Sequence, residues 1–198
     1  MIDKNTLERL YICDGKSMKV IAEELGFSVH KIQYWMNKHS IRRRSIADAL
    51  YQWHNPDGDP FVFIPPKSTE DYQLYGLGIG LYWGEGTKAS KTSVRLGNTD
   101  PELIKKFILF LECFYSVQRA DMHFGLQIFT DIDEQKALDF WQNTLKIGSH
   151  QFYKVTRTIS GSIGTYRKRS QYGVLTVYYN NRKLRDHLIG QLAALAQG

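Results

Sequence analysis

The segment over residues 74–88, LYGLGIGLYWGEGTK, combines a regular row of glycines with one carboxylate. If it is helical, Gly76, Gly80 and Gly84 recur every four residues and lie on one face. Each glycine inside a helix costs about 1 kcal/mol relative to alanine, so a helix with this stripe needs a compensating interaction. Close approach of a second helix backbone supplies one. We therefore predict a helix-packing face that ends at Glu85.

Two phosphate-binding motifs are excluded by the same segment. A P-loop ends in Gly-Lys-Ser/Thr and follows a strand, whereas this chain has Gly86-Thr87-Lys88 without a preceding strand. A dinucleotide-binding fingerprint places its glycines at the start of a helix, whereas these glycines run through it. Glu85 also has a structural interpretation, as a helix-terminal carboxylate that caps the helix or pairs with Lys88.

A second stretch, residues 152–185, contains eight Lys and Arg residues and no Asp or Glu. The whole chain has 26 Lys and Arg against 20 Asp and Glu, a formal net charge of +6. Because positive charge is concentrated in one stretch, the folded protein should have one positive side that attracts a polyanion such as DNA. The residues predicted to contact DNA from this part of the chain are Lys88, Arg157, Arg167, Lys168 and Arg169.

Near the N-terminus, the segment SMKVIAEELGFSVHKIQYWMNKHSI has the spacing of two short helices joined by a tight turn. Ala22 is small where the helices must cross, and Gly26 suits the turn because glycine accepts a positive φ. The residues expected to be buried are Ile21, Leu25, Ile32 and Trp35. This pattern resembles the helix-turn-helix family over residues 6 to about 45.

The second of these helices would turn hydrogen-bonding side chains toward the DNA major groove. The side chains on that face are His30, Lys31, Gln33, Tyr34 and Asn37. A basic arm follows directly, and it is placed to contact phosphates or enter the minor groove. The arm consists of Arg42, Arg43 and Arg44. The alternative is a three-helix module for protein contacts, in which these polar residues are only solvated.

Four of the five prolines fall within residues 52–70, where Asn, Asp and Gly also cluster, so this stretch is predicted to be a linker. It separates a small all-α domain, residues 1–51, from an α+β domain, residues 71–198. The second domain should contain a helix that starts at Asp100 and Pro101, and strands that carry TSVRL, FGLQIF, FYKVTRTI and GVLTVYY.

Several other classes of protein are disfavoured. Cys13 and Cys113 are isolated, which argues against a disulfide framework or a zinc cluster. The histidines lack metal-ligand spacing, and no serine nucleophile elbow is present. We find neither a signal peptide nor an apolar run long enough to span a membrane, so we expect a cytoplasmic protein without a membrane partner or a small-molecule substrate.

The segment GIGLYWGEG resembles the nine-residue motif of the LAGLIDADG homing endonucleases. Gly80, Leu81 and Gly86 are identical to the motif, Gly84 replaces a small residue, and Glu85 replaces the final acid. The resemblance covers residues 71–198, and the motif occurs once. It implies a LAGLIDADG-like mixed α/β domain with a DNA-facing antiparallel sheet, acting on double-stranded DNA and therefore nucleoid-associated when bound.

In that family, chains with a single motif act as homodimers whose motif helices pack against each other. The resemblance therefore makes Gly76, Gly80 and Gly84 a dimer interface and brings two Glu85 carboxylates together. Such proximity is tolerable with divalent cations between the carboxylates, so Mg²⁺ or another divalent cation is expected, with Glu85 and Gly84 as ligands. The metal could activate water at a scissile phosphate. Lys154 is the candidate for the basic group that such sites also use.

Two alternatives remain open at this stage. Some transcriptional regulators combine an inactive LAGLIDADG-like domain with a helix-turn-helix module, so the chain could bind DNA without cutting it. More distantly, the C-terminal domain could serve only for protein dimerisation, although the basic stretch over residues 152–185 would then have no purpose.

Overall fold

The computed structural model describes residues 1–159 and 171–197. They form two compact units, Met1–Asp59 and Pro60–Gly198. The described residues contain eight α-helices and one four-stranded mixed sheet, which confirms the predicted α+β class. No helix in these ranges is long and apolar enough to cross a membrane.

The first unit consists of short helices with serine caps. Their bounds are α1 Lys4–Glu8, continued by a π-helical turn over Arg9–Cys13, then α2 Met18–Leu25, α3 Val29–Lys38 and α4 Ile46–His54. Ser17 and Ser28 each accept a hydrogen bond from a backbone N–H of the first turn, which defines where α2 and α3 begin. Gly26 ends α2 with φ 68°, a conformation that glycine adopts without strain.

The core of the first unit follows one face of each helix. Ile21 and Ala22 of α2 pack against Ile32 and Met36 of α3, and all four are buried. Leu25 and Trp35, which were also expected to be buried, are half-buried and pack against this core. The Trp35 ring stacks on His39 at 5.5 Å between centroids. Since Ile32 and Met36 are four residues apart, they occupy the inward stripe of α3, which leaves the intervening tryptophan at its edge.

The second unit alternates helices and strands. Their bounds are α5 Thr69–Glu85, β1 Val94–Asn98, α6 Pro101–Tyr115, β2 His123–Phe129, α7 Glu134–Leu145, β3 Thr156–Thr158, β4 Val174–Tyr179 and α8 Arg182–Gln197. Ser68 and Asp71 form a reciprocal capping box that starts α5. Asp100 caps α6 with Pro101 in its first turn, as predicted.

The strand order is β1-β4-β2-β3, and the sheet is mixed. β4 is antiparallel to β1 and β2, whereas β3 is parallel to β2. The expectation of a wholly antiparallel sheet was therefore wrong. The reason is α7, which carries the chain back along the sheet between β2 and β3, as a parallel pair requires. The third strand is also shorter than the predicted FYKVTRTI segment.

One face of the sheet carries the core of the second unit. Buried residues alternate along the three longest strands, for example Leu96, Phe124 and Val177, and pack against the helices. On α5 the inward face consists of Gly78, Ile79 and Tyr82. An added Cβ at Gly78 would overlap the ring of Phe110, so a glycine is needed where α5 crosses α6.

The predicted linker over residues 52–70 is partly structured. Its first residues complete α4, and residues 60–64 belong to the second unit. Val62 N–H donates to the Tyr115 carbonyl at 3.2 Å and Ile64 N–H to the Phe114 carbonyl at 2.8 Å. Aromatic side chains explain the difference, because the rings of Phe61 and Phe63 pack on Tyr115 in a segment whose prolines suggested only a break.

Candidate functional site

The face of α5 opposite the core is flat and open. Gly76, Gly80 and Gly84 are exposed, and a Cβ added at any of them would meet nothing within 4 Å. Large apolar side chains flank this stripe: Tyr72 is 63% exposed, Leu77 45% and Trp83 49%. A helix that buries one face and leaves a smooth apolar face in solvent is suited to pack against another helix.

The stripe ends at Glu85, which is the last residue of α5. Its side chain is exposed and makes no hydrogen bond or ion pair with any described residue. The backbone that follows is fixed: Gly86 N–H donates to the Tyr82 carbonyl at 3.0 Å, and Thr87 N–H donates to the Arg95 carbonyl at 2.9 Å. Gly86 also forms an isolated bridge with Leu96 of β1. The Glu85 carboxylate therefore has no partner among the described residues, while the backbone that follows it is held by these hydrogen bonds.

Lys88 makes hydrogen bonds within the second unit through both its side chain and its backbone. Its ammonium group donates to the carbonyl of Trp83 in the last turn of α5, where helix carbonyls lack intrahelical partners. Its own carbonyl accepts a hydrogen bond from the guanidinium of Arg185 at 2.7 Å. The predicted DNA contact at Lys88 is thus engaged as a cap of α5.

The end of α5 offers oxygen ligands that fit a hard divalent cation. The Glu85 carboxylate is unpaired, and the carbonyl of Gly84 accepts no hydrogen bond from the described residues. Both lie at the negative end of the helix dipole, which favours a cation. No group of three or more His, Cys, Asp or Glu side chains is arranged to hold a metal ion in residues 1–159 and 171–197.

Lys154 does not lie near Glu85 of the same chain. A single row of paired residues crosses the sheet through Gly86, Leu96, Val177, Phe124 and Phe152. Neighbouring strands are spaced by about 4.8 Å, so the two ends of this row are about 19 Å apart. Lys154 follows Phe152, at the far end from Glu85. The structure thus separates the two residues that were predicted to act together.

The open face of the sheet carries a row of cationic and aromatic side chains that the sequence did not single out. Arg95 pairs across β1 and β4 with Tyr178, and its guanidinium lies 5.1 Å from the centre of that ring. Tyr178 pairs in turn with His123, which stacks on Tyr153 at 5.2 Å. The available signal was the alternation of β1, in which Arg95 lies between two buried residues.

Two glycines lie beside that row. The next outward-facing residues are Gly97, Thr176 and Gly125, which pair with one another across the three strands. A Cβ added at Gly125 would lie 3.0 Å from the ring of Tyr178, and one added at Gly97 would lie 2.8 Å from the Thr176 hydroxyl, so these two side chains lie over the glycine backbone. Arg95 is the cation of this face that a DNA phosphate could contact.

The other predicted contacts on the second unit have different surroundings. Lys154 is exposed, whereas Arg157 donates to Glu134 of α7 with a shortest contact of 2.7 Å. This ion pair is solvent-exposed, so its contribution to stability is small and a phosphate could compete for the arginine. The predictions for Arg167, Lys168 and Arg169 lie outside the described residues.

The outer face of α3 carries the side chains expected there. The exposed residues are His30, Lys31, Tyr34 and Asn37, and Gln33 is half-buried. The ammonium of Lys31 lies 3.9 Å from the centre of the Phe27 ring. This cation–π contact holds the lysine stem against the turn between α2 and α3 while the outer side of the ammonium faces solvent.

Arg44 corrects the prediction of a basic arm of three residues. Its guanidinium donates to the carbonyls of Gly15 at 2.8 Å, Tyr11 at 2.9 Å and Lys16 at 2.6 Å, and also to the side chain of Gln52. It lies 4.1 Å from the centre of the Tyr11 ring. The planar, multidentate guanidinium suits this nest of carbonyls, so Arg44 holds the unit together.

Arg42 and Arg43 remain exposed, so the arm presents two arginines to a partner.

Comparison of the chain with protein-family models, curated proteins and solved structures finds no match.

Proposed function

We propose that the protein is a site-specific, double-stranded DNA endonuclease of the LAGLIDADG type that works as a homodimer. The observation that carries this proposal is the open glycine stripe of α5, which ends at Glu85, a carboxylate with no partner among residues 1–159 and 171–197. Two such helices packed stripe to stripe would bury Tyr72, Leu77 and Trp83 at their edges. The same packing would bring two copies of Glu85 together at the helix ends.

The paired site would have the ligands that a single chain lacks. Two Glu85 carboxylates and two Gly84 carbonyls supply four oxygen groups, a donor set that Mg²⁺ accepts. When bound there, the metal would lower the pKa of a bound water and stabilise charge on a phosphodiester. The chain's own contribution is to hold each carboxylate next to the hydrogen-bonded backbone over residues 86–88.

DNA would be held by two separate surfaces. In the second unit, Arg95 offers a phosphate contact on the face of the sheet opposite the core, with Lys154 at the far edge. In the first unit, we propose that α2 and α3 form a helix-turn-helix reader whose outer face meets the major groove, with Arg42 and Arg43 on adjacent phosphates or in the minor groove. Two readers in a dimer favour a pseudo-palindromic site.

A non-cleaving transcriptional regulator built on the same surfaces is the second candidate. The observation that favours it is the single carboxylate per chain, together with the distance that separates Lys154 from Glu85. A regulator would use the dimer and both DNA-binding surfaces but would not need a metal.

Cleavage of a randomised duplex library separates the two candidates. Purified protein is incubated with the library in Mg²⁺ or in EDTA, next to Glu85→Gln and the control Glu70→Gln, which removes an exposed carboxylate from the first turn of the same helix. The endonuclease proposal predicts Mg²⁺-dependent cleavage by the wild type and Glu70→Gln but not by Glu85→Gln. Specific binding without cleavage by the wild type would leave the regulator.

A further inference from the structure

Arg185 connects the last helix to the backbone that supports Glu85. It lies in the first turn of α8, and its side chain is only 18% exposed. Its Nη2 donates to the Lys88 carbonyl at 2.7 Å, while Nη1 donates to Asp186 at 2.8 Å. Lys88 is distant in sequence but follows Glu85 by only three residues. The guanidinium therefore joins α8 to the end of the short segment over residues 86–88.

Tyr82 lies under the same segment. The ring is fully buried, and an added Cβ at Gly86 would overlap it, so the backbone at Gly86 rests directly on the ring. Burial raises the pKa of Tyr82, whereas the positive charge of Arg185 acts to lower it. Neither the Tyr82 hydroxyl nor Arg185 Nε has a hydrogen-bond partner among the described residues.

These contacts surround Glu85 without touching its carboxylate. The backbone after it is held by β1, by the Tyr82 ring, by the ammonium of Lys88 on α5, and by Arg185 on α8. Of these, Arg185 is the half-buried charge that another helix contributes. We propose that Arg185 is a positioning residue that fixes the direction of the Glu85 carboxylate through the Lys88 carbonyl.

The proposal rests on the proposed endonuclease function and predicts a change in the Mg²⁺ concentration that cleavage requires. Without the hydrogen bond from Arg185, the backbone next to Glu85 is less ordered before the metal binds. Binding must then order the carboxylate, and the conformational entropy lost in doing so lowers the metal affinity. Once the site is loaded, the same ligands surround the metal and turnover is largely restored. A general loss of fold would instead lower the amount of active protein without changing the metal dependence.

The test compares Arg185→Met and Arg185→Lys with Lys136→Met, which removes an exposed positive charge from α7, outside the basic stretch over residues 152–185. Loss of one charge-assisted hydrogen bond predicts that Arg185→Met needs about tenfold more Mg²⁺ for half-maximal cleavage. Its rate at saturating Mg²⁺ should stay within about threefold of the wild type. Arg185→Lys should recover most of the metal affinity, and Lys136→Met should behave as wild type.

Hydrogen exchange at the Thr87 amide supplies a readout that does not depend on cleavage. This N–H donates to the Arg95 carbonyl, so it reports whether the segment stays closed. Arg185→Met should exchange at least about tenfold faster there, with amides of the α6 core unchanged. Equal exchange in Arg185→Met and wild type would overturn the proposal, as would an unchanged Mg²⁺ requirement. If the wild type does not cleave at all, the endonuclease proposal fails while hydrogen exchange still decides the role of Arg185.

Discussion

Substitution of Gly80 by alanine should have opposite effects on the folded monomer and on the dimer. The residue lies in the middle of α5, and nothing stands within 4 Å of an added Cβ, so alanine causes no clash in one chain. Removing a helix-interior glycine stabilises the helix by about 0.8–1 kcal/mol. For a chain of this size we expect the midpoint of thermal unfolding to rise by roughly 2–4 °C at low protein concentration.

The same methyl group lies where the proposed partner helix must approach. Overpacking of a close contact costs about 1–3 kcal/mol, so the dissociation constant of the dimer should rise about 5- to 150-fold. Sedimentation velocity over a dilution series measures that constant, and circular dichroism measures the unfolding midpoint. For Gly80→Ala both the dissociation constant and the unfolding midpoint should rise, because the dimer becomes weaker while the folded monomer becomes more stable.

Two further glycines provide matched controls. Gly190 of α8 is exposed and equally open, so Gly190→Ala should raise the unfolding midpoint without changing self-association. Gly78 of α5 faces Phe110, so Gly78→Ala should destabilise the fold by about 1–3 kcal/mol. If Gly80→Ala and Gly190→Ala have the same dissociation constant, or if the wild type is monomeric at all concentrations, the stripe is not a dimer interface.

Three other predictions follow from single side chains. Arg44→Met should lower the free energy of unfolding of the first unit by about 2–4 kcal/mol in chemical denaturation, because several buried carbonyls lose their donor. Arg95→Ala should weaken DNA binding at every sequence tested and reduce the slope of log affinity against log salt by about 1; an unchanged slope would show that Arg95 contacts no phosphate. Hydrogen bonds from the backbone N–H groups of Lys67 and Ser68 lower the pKa of Asp71, so its stabilisation of α5 is present above the ordinary carboxyl pKa and lost as pH falls through the lowered one. Asp71→Asn should remove that part of the acid dependence of the unfolding midpoint, and an identical pH profile would contradict it.

Local signals in the sequence predicted the helix ends well. Ser28, Asp100 and Gly26 each act where the residue type alone suggests, because capping depends on neighbours only a few residues away. The glycine stripe of α5 was likewise visible from its spacing and does lie on one exposed face.

Long-range pairing was not predictable in the same way. The position of β4 between β1 and β2 depends on which strands share a buried face, and no pattern within one strand encodes that choice. The separation of Lys154 from Glu85 follows directly from this order. Arg44 illustrates the same difficulty, because three adjacent arginines look alike until the fold brings the carbonyl of Gly15 to one of them.

The anchoring of Arg44 also determines how much order the neighbouring arginines retain before any partner arrives. Its guanidinium fixes the chain immediately after Arg43, and Ser45 begins α4 as its N-cap. Fixing the backbone of a residue costs about 1–2 kcal/mol in conformational entropy. For Arg42 and Arg43 much of this cost is met when the first unit folds. A polyanion that binds these two side chains therefore meets an arm whose backbone is already restrained, and its affinity is reduced mainly by the immobilisation of the side chains themselves.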